Sequence, residues 1–284
     1  MAAKGAYFAM ERMSARVLPS KQTQTHPSMK TSDTTILITG GGSGIGRALA
    51  EKFHQRGSKV IIAGRRLAAL EETTRANPGM AAMTLDIENA DTIRDFAEKL
   101  TRDFPALNAV VHNAGIMKSE NLLAQAGDVS VAEATIATNL LGPIRLNSAL
   151  LPHLRKQKRA TIMTVSSGLA FVPMFPTPTY CATKAAIHSY TQSLRFQLRG
   201  TAIEVVELVP PYVQTELMGA HQMNDPRAMP LREFIDEVMQ IIETDPTPSE
   251  ILVGRVKPLR FAEKSGDYDG FYEKFNQAMA SHAE

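Results

Sequence analysis

The stretch Thr39–Ala48 reads TGGGSGIGRA. It holds Gly40, Gly41, Gly42, Gly44 and Gly46, and a glycine inside a regular element costs about 0.5–1 kcal/mol relative to alanine. The flanking residues explain why the chain keeps them. Upstream, TILIT (Thr35–Thr39) is a short run of apolar and β-branched residues, the pattern of a strand buried on both faces. Downstream, Ile45, Leu49 and Phe53 recur every four residues along IGRALAEKFHQRG, and Gly57 stops the run, as in a helix with one apolar face. A glycine turn between strand and helix permits a tight reversal and a close approach to bare backbone. The helix behind it offers unpaired N–H groups and the positive end of its dipole. The unit therefore suits the pyrophosphate of a dinucleotide.

The alternation continues outward. KVIIA (59–63) is strand-like and LAALEETTR helical; MAAMTLDI predicts a third strand and ADTIRDFAEKLTRDF a third helix. NAVVHNAG closes a fourth strand, and a helical stretch from about Val131 to Arg155 is interrupted by Gly142-Pro143. ATIMTVSS, YCATKAAIHSYTQSLRFQLRG and IEVVELVP follow as strand, helix and strand. LREFIDEVMQII then predicts a helix and EILV a last strand. Strands alternating with helices predict an α/β chain: a Rossmann-type doubly wound parallel sheet of about seven strands, with helices on both faces. No repeat or linker divides it, so residues 29–284 read as a single domain.

Composition narrows the function. The chain has 284 residues, 44% of them hydrophobic, enough for a full core. A net charge of +2 gives no bulk attraction to nucleic acid. The lone cysteine, Cys181, excludes an intrachain disulfide and points to a reducing, cytoplasmic setting. No apolar run approaches the roughly 18 residues that span a bilayer. Residues 1–28 are basic and nearly acid-free, faintly like a transit peptide, and read as a disordered extension, with Met29 as an alternative start.

The spacing Thr-Gly-x-x-x-Gly-x-Gly, met by Thr39, Gly40, Gly44 and Gly46, resembles the classical short-chain dehydrogenase/reductase family rather than the usual Gly-x-Gly-x-x-Gly proteins. HNAG (His112–Gly115) is similar to the family's Asn-Asn-Ala-Gly, with His112 replacing the first Asn. TNLLG carries Asn139 at the place of its catalytic asparagine, and Ser167, Tyr180 and Lys184 match its Ser…Tyr-x-x-x-Lys set. PPYVQT resembles Pro-Gly-x-x-x-Thr, with Pro211 replacing glycine. The resemblance covers about residues 33–255. AGRR and ELVPP also resemble a bacterial branch named after D-alanine-transfer operons.

Several expectations follow. Tyr180 and Lys184 are four apart on a helix and share a face. A phenol ionises near pH ~10. The ammonium of Lys184, with an oxidised nicotinamide, is expected to lower that value and fit Tyr180 for proton exchange with a carbonyl or alcohol. Ser167, preferred over Ser166 on the family spacing, meets Tyr180 over the substrate oxygen. The resemblance implies that Asn139 holds a water relaying protons to Lys184. It also implies cofactor contacts from Gly40, Ser43, Gly44, Ile45 and Gly46, then from Asp86 and Ile87, from Asn113, Ala114 and Gly115, and from Pro210, Val213 and Thr215, with Tyr180 and Lys184 joining them. After the second strand Gly64 stands where an NAD-binding carboxylate is usual, and Arg65 follows. NADP(H) is therefore the expected preference, with NAD(H) as the alternative. His112 reads as a residue pinning loops, Cys181 has no catalytic role, and no grouping of His, Cys and carboxylates signals a metal. Residues 216–231, rich in Met and Pro, read as a substrate lid. The expected function is an oxidoreductase acting on a small carbonyl/alcohol substrate, forming a homodimer or homotetramer without nucleic-acid or membrane partners. A dinucleotide-binding sensor that has lost turnover is the alternative.

Overall fold

In β1 (Thr35–Thr39) successive side chains serve two different cores. Ile36 and Ile38 pack with Val60 and Ile62, while Leu37 packs with Ile61 and Ala63 on the opposite side. This two-sided burial, the consequence of the two-residue period of a strand, explains the unbroken apolar runs. The computed structural model describes residues 31–124, 127–245 and 248–280; the expected N-terminal extension lies outside them.

The remaining strands are β2 (Lys59–Gly64), β3 (Ala81–Thr84), β4 (Leu107–His112), β5 (Ala160–Val165), β6 (Ile203–Leu208) and β7 (Glu250–Ile251). All pair in parallel, in the order β3-β2-β1-β4-β5-β6-β7. The chain leaves the β3 edge and returns beside β1, so the order switches between β1 and β4, where doubly wound sheets place their ligands. One face is covered by α1 (Gly44–Gln55), through Leu49 and Phe53, and by α8 (Leu231–Thr244), through Phe234 and Val238; α2 (Leu67–Ala76) adds Leu70. The other face is covered by α3 (Ala90–Asp103), α5 (Gly142–Leu154) and α6 (Pro178–Gln197), through Phe96, Leu150 and Leu194 among others. Each such side chain contributes about 1.5–3 kcal/mol by leaving water.

Several elements differ from the sequence expectation. The strands expected from MAAMTLDI and EILV are shorter. The interruption at Gly142-Pro143 is a π-turn one step earlier, Ala137–Leu141, between α4 (Ser130–Ile136) and α5. Gly142 N–H bonds Ala137 five residues back, and Pro143 has no N–H to give Asn139 an α-helical bond. The helix runs on past the turn because proline is tolerated in a first turn. Beyond β7 the chain adds α9 (Lys257–Arg260) and α10 (Tyr268–Ala280), which the sequence reading did not foresee. No helix among the described residues is long and apolar enough to cross a membrane.

Candidate active site

Because the strands are parallel, the segments following them emerge on one edge of the sheet. Most of the residues singled out in the sequence lie on those segments; Asn139, Tyr180 and Lys184 come from helical turns beside them. The glycine turn is fixed first. Gly40 adopts φ +70°, costly for any residue with a Cβ, and its N–H donates to Ala63 O at 2.7 Å. Asn113 Nδ2 donates to Thr39 O (2.9 Å), and the N–H groups of Asn113 and Ala114 both donate to Thr39 Oγ1 at 3.0 Å, locking the ends of β1 and β4 together. A Cβ on Gly46 would collide with Asn113 Nδ2 and Gly40 O. Ile45 is half-buried against the core on the α1 side.

Ser43 at the N-cap of α1 makes no side-chain capping bond, and the first turn of α1 has no acidic residue. The hydroxyl of Ser43 instead accepts from Arg66 (2.9 Å). An uncapped helix N-terminus behind bare glycine backbone fits a pyrophosphate, by its donors and by its dipole. Across from the turn, a Cβ at Gly44 would lie 3.5 Å from Thr215. The Val213–Thr215 segment is held by a residue the sequence reading missed. Gln222, buried on the short helix α7 (Ala220–Met223), donates to Val213 O (2.7 Å) and Thr215 Oγ1 (3.1 Å). Pro210 O accepts from Gly168 N–H (2.9 Å).

Arg65 pairs with Glu88 (2.8 Å), which also accepts from Thr138 Oγ1 (2.8 Å). Asp86 turns back to accept from Glu88 N–H (3.1 Å). Ile87 lies so close to α5 that a Cβ at Gly142 would be 2.6 Å from its carbonyl. Two arginines thus flank this end of the edge, Arg65 on the Glu88 side and Arg66 on the glycine-turn side. The link from Arg66 to Ser43 was not visible in the sequence.

Tyr180, Lys184, Ser167 and Asn139 converge and all are buried. Pro178 opens α6, and Glu120 caps it, accepting from Thr179 N–H (3.0 Å) and Oγ1 (2.8 Å). Ser167, not Ser166, hydrogen-bonds Tyr180; the hydroxyl of Ser166 has no partner. Lys184 Nζ donates to Val165 O (2.8 Å) and lies 5.5 Å from the centre of the Tyr180 ring. Asn139 spends its amide on Ile116, accepting its N–H and donating to its carbonyl, both at 2.9 Å. It thereby anchors the segment after Gly115, whose own Cβ would come within 3.2 Å of Asn139 Oδ1.

In the chain alone, burial pushes the Tyr180 phenol well above its ordinary value and the hydrogen bond with Ser167 opposes that only in part, so Lys184 by itself does not lower it. Burial also lowers the Lys184 ammonium to about 8, against the pull of Glu207. His112 lies buried at the end of β4, where burial, opposed in part by Asn147 of α5, lowers the ring to about 4. His and carboxylates are less dispersed than the sequence implied, since His188, Glu207 and Glu250 meet. Glu250, however, is held by Arg260 (2.8 Å), and Glu207 by His188 (2.8 Å).

Beside Tyr180, Met117, Met174 and Cys181 form a small buried cluster, against which Leu169, Met218, Phe275 and Met279 pack. Met218 comes from the expected lid. Phe275 and Met279 come from α10, which Asn276 ties down by accepting from Phe175 N–H (2.8 Å) and donating to Pro173 O (3.1 Å).

The model of the short chain dehydrogenase family matches residues 34–225. Uncharacterized oxidoreductase DltE of Bacillus subtilis is 36% identical over 253 residues, covering 87% of this chain and 98% of that protein. Among solved structures, the closed form of a serine dehydrogenase complexed with NADP+ is 25% identical, with a TM-score of 0.69 over 77% of this chain and 93% of that one. A short chain dehydrogenase/reductase from Burkholderia phymatum in complex with NAD is 19% identical, with a TM-score of 0.72 over 85% and 96% of the two chains.

Proposed function

The chain belongs to the short-chain dehydrogenase family and is an oxidoreductase, and from that premise we propose that it interconverts a carbonyl and an alcohol with NADP(H) preferred over NAD(H). One observation carries the reading: a buried phenol, Tyr180, bonded to Ser167 and one helical turn from Lys184, packs against the apolar side chains of Met117, Met174 and Cys181. When bound, the nicotinamide supplies or takes the hydride.

The chain's own residues do the rest. Gly40, Gly44 and Gly46 with the start of α1 receive the pyrophosphate; Asp86, Ile87 and the Asn113–Gly115 segment border the adenosine. Pro210, Val213 and Thr215 flank the nicotinamide, and Lys184 holds its ribose. Ser167 orients the substrate oxygen, and Tyr180 donates a proton to it in reduction. Asn139, through the π-turn, holds the water that replenishes Lys184. Residues 216–231 act as the lid. The methionines around Tyr180 form an adaptable wall, which favours substrates with an apolar body beside the carbonyl. Following NADPH absorbance over carbonyl compounds of graded chain length tests this: turnover should rise with apolar length. Tight NADPH binding without turnover of any compound would favour the sensor alternative instead.

The cofactor preference has its own test. Arg65→Ala and Arg66→Ala are each expected to weaken NADPH about 10–100-fold, the roughly 1.5–3 kcal/mol of a hydrogen bond to a charged group, with much less effect on NADH. Equal losses for both dinucleotides in calorimetric titrations would show that neither guanidinium reads the 2′-phosphate.

We also place the enzyme in the cytoplasm, on the support of its single, buried cysteine. We expect a homodimer or homotetramer, supported by the apolar side chains left exposed on and beside the helices carrying Asn139 and Tyr180, Leu141 and Phe196 among them. Light scattering at micromolar concentration reads the mass that decides it.

A further inference from the structure

Helix α6 turns a polar stripe, Lys184, His188, Thr191 and Arg195, toward the sheet, where a packed helix ordinarily places apolar residues. Every rung is bonded to β5 or β6. Lys184 Nζ donates to Val165 O (2.8 Å), and His188 Nδ1 reaches both Glu207 oxygens (2.8 and 3.0 Å). Thr191 Oγ1 shares a bond with Thr164 Oγ1 (2.7 Å), and Arg195 Nε donates to Val205 O (2.9 Å). Glu207 stands out. It is 0% exposed near the C-terminal end of β6, opposite Thr164 of β5 and Glu250 of β7. A carboxylate at such depth is costly unless partnered, and its partner sits one helical turn from Lys184. Gln192 donates to His188 Nε2 (3.1 Å), so Nδ1 is the donor toward Glu207.

We propose that Glu207, held by His188, is a positioning residue for Lys184: it sets the rotation of α6 against β6 and presents a negative charge to the buried ammonium. The other charged groups around it are Glu250, within 4.8 Å of it, and the guanidiniums of Arg260 and Arg195, which both feel its charge. Glu250 of β7 is clamped through two bonds by Arg260 of α9 (2.8 Å each), and Arg195 of α6 donates to the carbonyls of Val205 and Ser249. Glu207 is the group that opposes the loss of the Lys184 proton. Thr164 and Val165 of β5 meet the stripe with an uncharged hydroxyl and a carbonyl.

The inference rests on the oxidoreductase reading, and the experiment separates the two. In the parent, kcat/KM for NADPH should fall as pH rises through about 8, where Lys184 loses its proton. Lys184→Arg removes that limb if Lys184 causes it; a limb that survives counts against the assigned role of Lys184 rather than against Glu207. With the limb assigned, Glu207→Gln removes a negative charge while keeping shape, so the ammonium loses its proton more readily. The limb should move to lower pH by roughly 1 unit. Glu207→Asp keeps the charge but withdraws it by one methylene; its limb should lie between the two, and it carries the test if the Gln variant does not fold. A merely structural Glu207 would lower the melting temperature and leave the limb in place. A folded Gln variant with the parent's limb, or an Asp variant matching the parent in both limb and kcat, overturns the proposal.

Discussion

Replacing Tyr180 by Phe is expected to cut turnover by at least about 10²–10⁴-fold, the usual contribution of a positioned general acid, while leaving fold and NADPH affinity nearly unchanged. The ring is 6% exposed and packs with Met117, Met174 and Cys181, contacts that phenylalanine keeps. What it loses is the hydroxyl bonded to Ser167. Because burial raises the phenol, Tyr180 stays protonated through the neutral range and is suited to donating a proton in reduction. Oxidation of the alcohol needs the phenolate and should quicken as pH rises. Lys184→Ala has a different signature, losing both turnover and cofactor affinity, since the ammonium is assigned to both. A Phe variant that reduces the parent's substrate at near-normal turnover would show that the proton comes from another group.

The second large effect is expected at Gly46. A Cβ there meets Asn113 Nδ2 and Gly40 O at once. Neither yields easily: the Asn113 amide is bonded to Thr39 O at 2.9 Å, and Gly40 is itself tied to Ala63. Gly46→Ala should therefore lower stability by about 1–3 kcal/mol, the range for overpacking. By shifting the turn on the order of 1 Å it should also lower kcat/KM roughly 10²-fold. Gly200→Ala is the control. Gly200 has φ +77° but no neighbouring atom within 4 Å of an added Cβ, so the cost there is backbone strain alone and kcat/KM should hold. A Gly46→Ala protein with parental melting temperature and kcat/KM would remove the steric account of the turn.

Much of the fold was legible because it rests on periodicities that neighbouring residues impose. The alternation of Ile36, Leu37 and Ile38, the four-residue spacing of Ile45, Leu49 and Phe53, and the turn glycines are statements about adjacent backbone. The parallel arrangement followed from the regular alternation of strands with helices, the usual crossover of parallel sheets. The shared face of Tyr180 and Lys184 followed from helix geometry in the same manner. Local pattern was weaker at the chain's end, where α10 carries no fully buried residue and so lacks a sharp apolar stripe.

Tertiary structure alone decided the electrostatics and the partners. The direction of the Tyr180 shift depends on depth, and depth is set by Met117 and Met174, which no spacing places beside it. Arg65 and Arg66 are adjacent in sequence yet turn to Glu88 and Ser43, each 23 residues away. His188 meets Glu207 across 19 residues, and Asn276 meets Phe175 across 101. Such contacts depend on how the sheet and its helices bring distant segments together. Desolvation and Coulomb terms then act through space, at distances the chain sets only once it is folded. The sequence alone determined the sheet, the glycine turn and the shared helix face of Tyr180 and Lys184; the packing decided which way the buried groups shift, which arginine faces which partner, and which side chains pack beside Tyr180.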